Sequence, residues 1–175
     1  SDRLSFLAES ALHRTAAIKE IIGVDWNDLG SISGCFDWVF ACYTETSRGL
    51  KLPISVLSTL SKRLGAHLML DATASIGLEE GHEVADVIAY SSCKGLFGLT
   101  GASFIAFNEP PTVEVDSFYL RINTHLERKM TGPYHTICSL LDVLPRHADF
   151  RAAVIKNKEI FLKRMKAHLV LPFKY

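Results

Sequence analysis

The sequence predicts an α/β protein built on a mostly parallel sheet. Two short apolar runs, His67-Leu68-Met69-Leu70 and Ala85-Asp86-Val87-Ile88-Ala89-Tyr90, have the length and continuity of strands covered on both faces. A third such run, Asp37-Trp38-Val39-Phe40-Ala41-Cys42-Tyr43, is separated from the His67 run by a stretch of helical periodicity. Strand, helix, strand in series makes a right-handed crossover between parallel strands.

The elements follow in order. Leu4, Leu7, Ala8, Ala11, Ile18, Ile21 and Ile22 recur at helical spacing, and Gly23 stands where a C-cap belongs, so a first helix is expected to run that far. The Trp38 run is rich in aromatic and β-branched residues, as strands are. Pro53 opens a helix on Ile54, Val56, Leu57, Leu60 and Leu64 that Gly65 closes. Ser103 to Phe107 forms a further strand soon after Lys94. The connection is shorter than the dozen or so residues of a parallel crossover, so this strand should run antiparallel to its neighbour. Asn108-Glu109-Pro110-Pro111-Thr112 is a turn or linker, and Val113 to Lys129 has no dominant period. Helical periodicity returns over His135 to Leu144 and Ala148 to His168, with Phe150, Val154, Phe161 and Met165 expected to be buried. Arg151, Lys156, Lys158, Lys163, Arg164 and Lys166 line the other side of that last helix; Glu159 interrupts them, as on a solvated face.

Composition narrows the function. The chain of 175 residues is 48% hydrophobic and 22% charged, which suits one globular domain. Lys plus Arg and Asp plus Glu both number 19, so no general electrostatic attraction draws the chain to nucleic acid or an anionic membrane. No apolar run approaches the roughly 20 residues that span a bilayer, and Ser1-Asp2-Arg3-Leu4 is unlike a signal peptide, so a cytoplasmic location is expected. Cys35, Cys42, Cys93 and Cys138 form no Cys-x-x-Cys and no metal-ligand cluster with histidine; they are expected to be reduced and mostly buried. Cys93 beside Lys94 is either a thiol activated by the cation or a small residue that fits under a ligand.

Asp71 and Lys94 each stand just past an apolar run. In parallel sheets ligands bind at the carboxyl ends of the strands, so the two charges should meet at one mouth. The small residues of Ala72-Thr73-Ala74-Ser75-Ile76-Gly77 and Gly95-Leu96-Phe97-Gly98 leave room for a planar group. A neutral lysine amine is the nucleophile that an aldehyde cofactor requires, and a carboxylate can hold a ring nitrogen protonated. On pattern alone, a solvated lysine and an aspartate that caps the next helix or pairs with that lysine remain alternatives.

Tyr43-Thr44-Glu45-Thr46-Ser47-Arg48-Gly49, Leu70-Asp71-Ala72-Thr73-Ala74-Ser75-Ile76-Gly77 and Ser91-Ser92-Cys93-Lys94-Gly95 occur in that order with helix-length spacers. Together they resemble class V aminotransferases of the fold-type I pyridoxal-phosphate superfamily, and among these the 2-aminoethylphosphonate:pyruvate aminotransferases. The resemblance implies a three-layer α/β/α sandwich, with residues 1–175 forming an incomplete cofactor-binding large domain. The family's N-terminal segment, with its phosphate-holding turn, and its C-terminal small domain, with its substrate arginine, are expected to be absent.

By the same resemblance Lys94 carries pyridoxal 5'-phosphate covalently and moves the substrate proton, while Asp71 faces the ring nitrogen. Thr46 and Ser47 lie in the turn near the ring's phenolic oxygen, and Ser92 lies near the phosphate. Thr131, within Met130-Thr131-Gly132-Pro133-Tyr134-His135-Thr136, reaches across a homodimer to the partner's cofactor phosphate; an N-cap for the helix that follows is the other reading of that threonine. The substrates implied are a small-molecule amino donor and a 2-oxo acid. Arg48, Cys93 and Ala74 depart from the family's usual Thr, Asn or Gln, and Ser. Two alternatives remain open: another class V activity, of the alanine:glyoxylate aminotransferase or cysteine desulfurase type, or a non-catalytic fragment that serves as a dimerisation module.

Overall fold

The computed structural model describes residues 2–14, 16, 18–112, 115–128 and 131–169. Helix α1 spans Asp2–Leu12. Residues 18–25 are not helical, so the first helix is shorter than its periodicity predicts and Gly23 caps nothing. Ile18, Ile21, Ile22 and Val24 are β-branched, stiff at χ1 and better suited to extended backbone than to a helix.

Strand β1 (Trp38–Cys42) leads through a hairpin, β2 (Thr44–Glu45) and β3 (Leu50–Lys51), into helix α2 (Ile54–Leu64). Helix α2 begins after Pro53 and ends on Gly65 at φ 64°, the left-handed cap conformation that glycine adopts without a steric penalty. Then come β4 (His67–Asp71), β5 (Val87–Ser91) and β6 (Ser103–Phe107). The sheet order is β1-β4-β5-β6. Strand β1 pairs parallel with β4, with Cys42 opposite Asp71, and β4 pairs parallel with β5, with Asp71 opposite Ala89. Strand β6 is antiparallel to β5, as its short connection requires.

One face of the sheet packs on α2. Ala41, Leu57, Leu68, Leu70 and Ala85 form the buried cluster, with Val39, Leu52, Ile54 and Ile88 against it. Asp86 accepts the Leu68 N–H at 2.8 Å, tying the entry of β5 to β4. Strand residues alternate in direction, so Trp38, Phe40 and Ile105 lie on the opposite face, and all three are exposed.

Three helices follow: α3 (Ile122–Arg128), α4 (Tyr134–Val143) and α5 (His147–Met165). The expected buried stripe on the last helix is overturned. Val154, Phe161 and Met165 are exposed, and only Phe150 of the four is half-buried. The reason is where α5 packs: His147, Phe150 and Arg151 meet the loops after β4 and β5, while residues 152–161 are all exposed. The cysteines also differ from expectation. All four are free, but Cys35 and Cys138 are exposed and Cys42 and Cys93 only partly covered.

Candidate active site

Asp71 is the last residue of β4, and Ser91 the last of β5. Because these neighbours are parallel, both strands end on the same edge, and the Asp71 and Lys94 loops leave the sheet side by side. Asp71 is half-buried. Its Oδ1 accepts the Thr73 N–H at 3.0 Å, and its backbone carbonyl accepts the Tyr43 N–H at 3.2 Å. Burial, and then the negative charges of Asp71 and Glu45, push the neighbouring Cys42 thiol up to about 11. The thiol donates to the Thr44 carbonyl at 3.4 Å. Both causes disfavour a second negative charge at this end of β4.

Lys94 stands on a tight turn. Ser92, wholly buried, closes the loop behind it: its hydroxyl donates to the Leu99 carbonyl at 2.6 Å, and its carbonyl accepts the Gly98 N–H at 2.9 Å. That hydroxyl is therefore engaged with its own loop. The Lys94 carbonyl accepts the Phe97 N–H at 3.0 Å, which leaves the Lys94 side chain exposed at the turn's head. Among the described residues no ion pair joins Lys94 to Asp71. Gly95 is required by a close approach, since a β-carbon there would overlap the Ile76 carbonyl oxygen. This contact seats the Lys94 turn directly on the loop that follows Asp71.

Thr46 and Ser47 are exposed in the hairpin turn between β2 and β3. Glu45 organises that turn: its Oε1 accepts the Ser47 hydroxyl at 2.8 Å and the Ser47 N–H at 3.2 Å. These bonds, the hydroxyl's first, hold the Glu45 carboxyl below the usual carboxylate range. Arg48 lies 3.5 Å from Asp25, so its guanidinium has a carboxylate partner. Thr131 is exposed ahead of α4 but does not cap it; Pro133 occupies the N-cap position, and no side chain caps the helix.

Two groups were not singled out in the sequence. His147, the first residue of α5, lies with Nε2 at 2.8 Å from the Gly95 carbonyl oxygen. Ser75, completely buried, bonds His82 Nε2 at 2.8 Å, and the Tyr43 ring meets His82 edge-on with centroids 5.1 Å apart. Tyr43 donates to the Glu80 carbonyl at 2.9 Å. Beside these residues lies a cleft of about 470 Å³ lined by Tyr43, Ile54, Glu79, Glu80, Gly81, Glu83 and Arg151. It is lined by neither Asp71 nor Lys94; of its charged residues, Glu79 pairs with Lys51 at 2.9 Å and Arg151 with Glu80 at 3.1 Å. Among the described residues no cluster of three His, Cys, Asp or Glu could hold a metal, and no helix is long and apolar enough to cross a membrane.

No protein-family model and no curated protein matches the chain. Solved structures do. It is similar to the alanine–glyoxylate aminotransferase from Nostoc sp., with TM-score 0.62 and 22% identity over 74% of this chain and 40% of that one. It is also similar to pyridoxamine–pyruvate aminotransferase from Mesorhizobium loti, with TM-score 0.53 and 24% identity over 67% of this chain and 35% of that one. A third likeness is to the cysteine desulfurase from Thermococcus onnurineus NA1, with TM-score 0.53 and 18% identity over 74% of this chain and 39% of that one. At these identities the likeness establishes the fold. The chain has a mixed, mostly parallel sheet with flanking helices, the architecture of fold-type I pyridoxal-phosphate enzymes, and spans about two fifths or less of each of these chains.

Proposed function

We propose that this chain is the cofactor-binding part of a pyridoxal-phosphate-dependent aminotransferase that moves an amino group from a primary amine, such as 2-aminoethylphosphonate, to pyruvate. The observation that supports it most is the pairing of two loops. An exposed lysine amine and a half-buried carboxylate leave the ends of adjacent parallel strands on loops in backbone contact, in a fold shared with such enzymes. The residues suit the cofactor: an amine not paired to the carboxylate, a half-buried carboxylate at the end of β4, and small residues Ala72, Ala74 and Gly95 beside them.

When bound, pyridoxal phosphate would supply an aldehyde whose carbon takes up the donor's amino group while the donor carbon is left as a carbonyl, and a ring that accepts the electrons released at the donor carbon. Lys94 would hold the group through its amine and would move the proton from the donor carbon to the carbon that receives the amino group. Asp71 would hold the ring nitrogen protonated, since a carboxylate in contact with a cation gains on the order of 5 kcal/mol at an effective dielectric near 20. Thr46 and Ser47 would serve the ring's oxygen side, and Ser92 would fix the loop near the phosphate. Thr131, exposed and free of a capping role, reaches a second subunit of a homodimer. The choice of 2-aminoethylphosphonate rests on the likeness of the three ordered segments to enzymes that use it.

The test is Asp71→Asn, which is nearly isosteric. We expect a melting temperature within a few degrees of the parent and cofactor binding weakened about tenfold or more. In the parent, 2-aminoethylphosphonate should discharge the bound cofactor's visible band and pyruvate should restore it. Unchanged binding in Asp71→Asn refutes the role of Asp71, and a band indifferent to the amine refutes the donor.

A further inference from the structure

His147 belongs to a helix far along the chain, yet it touches both loops of the site. Its Nε2 lies 2.8 Å from the carbonyl oxygen of Gly95, the residue next to Lys94. A carbonyl only accepts, so Nε2 carries the proton. The same ring packs on Phe97 with centroids 5.3 Å apart, and it lies so near Gly77 that a β-carbon there would be 2.7 Å from Nε2. Phe97 has φ 60°, a left-handed conformation that side chains disfavour, and its ring is flanked by His147 and by Phe150 at 5.6 Å. Conformations of this kind persist where the surroundings over-determine them. Four residues along α5, Arg151 donates through Nε to the Leu78 carbonyl at 3.2 Å and through Nη2 to Glu80 at 3.1 Å. The first turns of α5 therefore hold the loop after Asp71 and the turn that carries Lys94 at once.

We propose that His147 is a positioning residue: its imidazole N–H fixes the Lys94 turn and keeps it seated on the Asp71 loop. The site consequence rests on the reading of Lys94 as the cofactor lysine; the clamp itself does not. The Lys94 carbonyl is held by Phe97 and the Gly95 carbonyl by His147, so the peptide units around Lys94 are anchored while its side chain stays free. Loss of the N–H frees the Gly95 carbonyl and removes one support of the strained Phe97 backbone.

The test compares His147→Phe, which keeps ring volume and removes the donor, with His147→Gln, which restores an N–H donor. Amide exchange at Phe97 and Gly98 reads the turn without cofactor, and borohydride trapping of pyridoxal phosphate at Lys94 reads the site. In His147→Phe we expect at least tenfold faster exchange at Phe97, sheet amides unchanged and several-fold less cofactor trapped at Lys94; His147→Gln should stand close to the parent. If the phenylalanine variant fails to fold, His147→Asn, too short to reach Gly95, takes its place with the same expectation. Unchanged exchange at Phe97, or acceleration shared equally by the sheet, overturns the clamp. Trapping of the parent at another lysine overturns the cofactor reading instead, and the exchange result still decides the clamp.

Discussion

Cys42 and His82 show how burial sets reactivity residue by residue. The Cys42 thiol is lifted from 9.0 to about 11, first by burial and then by Asp71 and Glu45. At pH 8 its thiolate population is therefore about a hundredfold smaller than that of an unperturbed thiol. Limited alkylation should modify the exposed Cys35 and Cys138 first, with Cys42 slower by at least tenfold; equal rates contradict this. His82 behaves in the opposite sense. Burial lowers its pKa below 6.5, against the pull of Glu83 and Glu79. The unfolded chain then takes up the proton first, so the contribution to stability is full above 6.5 and is lost as pH falls below it. The melting temperature should drop between pH 7 and pH 5, and His82→Gln should flatten that slope; an unchanged slope refutes the assignment. The placement of Asp71 and Lys94 at the ends of neighbouring strands was legible in the sequence because a charge just past an apolar run is a local pattern. The His147 contact spans 52 residues and leaves no such trace.

Among the elements, those with a strong internal signal were predicted closely. Helix α2 has its Pro53 start, its apolar face and its Gly65 cap in one short stretch, and the brevity of the loop before β6 fixed that strand's direction. Misreadings arose where an apolar period meets no partner. In α1 the pattern continued through β-branched isoleucines that are not helical, and in α5 Val154, Phe161 and Met165 kept the spacing of a buried stripe while lying exposed. Periodicity reports which side of a helix is apolar, and not what covers it. The loop contact at Gly95 tests the elements' arrangement. Gly95→Ala places a β-carbon on the Ile76 carbonyl oxygen, so the two site loops must separate. We expect a loss of about 2 kcal/mol or more in unfolding free energy, together with loss of cofactor binding. A variant as stable as the parent contradicts the close approach.

For the molecule as a whole, the sheet places the candidate site on one edge and the core on one face. The order β1-β4-β5-β6 brings Asp71 and Lys94 to the carboxyl ends of neighbouring strands, while Leu57, Leu68 and Leu70 bury the face toward α2. The opposite face keeps Trp38, Phe40 and Ile105 exposed, and the chain spans only about two fifths of the alanine–glyoxylate aminotransferase it resembles in fold. Parallel topology follows from alternating strands and a helix, which is why the architecture could be read from the sequence. Substrate choice depends on side chains brought together from several segments, so it could not. The proposed function stands on Lys94 as the amine that holds the cofactor. The purified chain should be incubated with pyridoxal 5'-phosphate, reduced with borohydride, digested and mapped by mass. A phosphopyridoxyl adduct is expected on Lys94 and should disappear in Lys94→Ala, while the variant keeps the parent's circular dichroism. An adduct confined to other lysines, or none above the level of a denatured control, would contradict it.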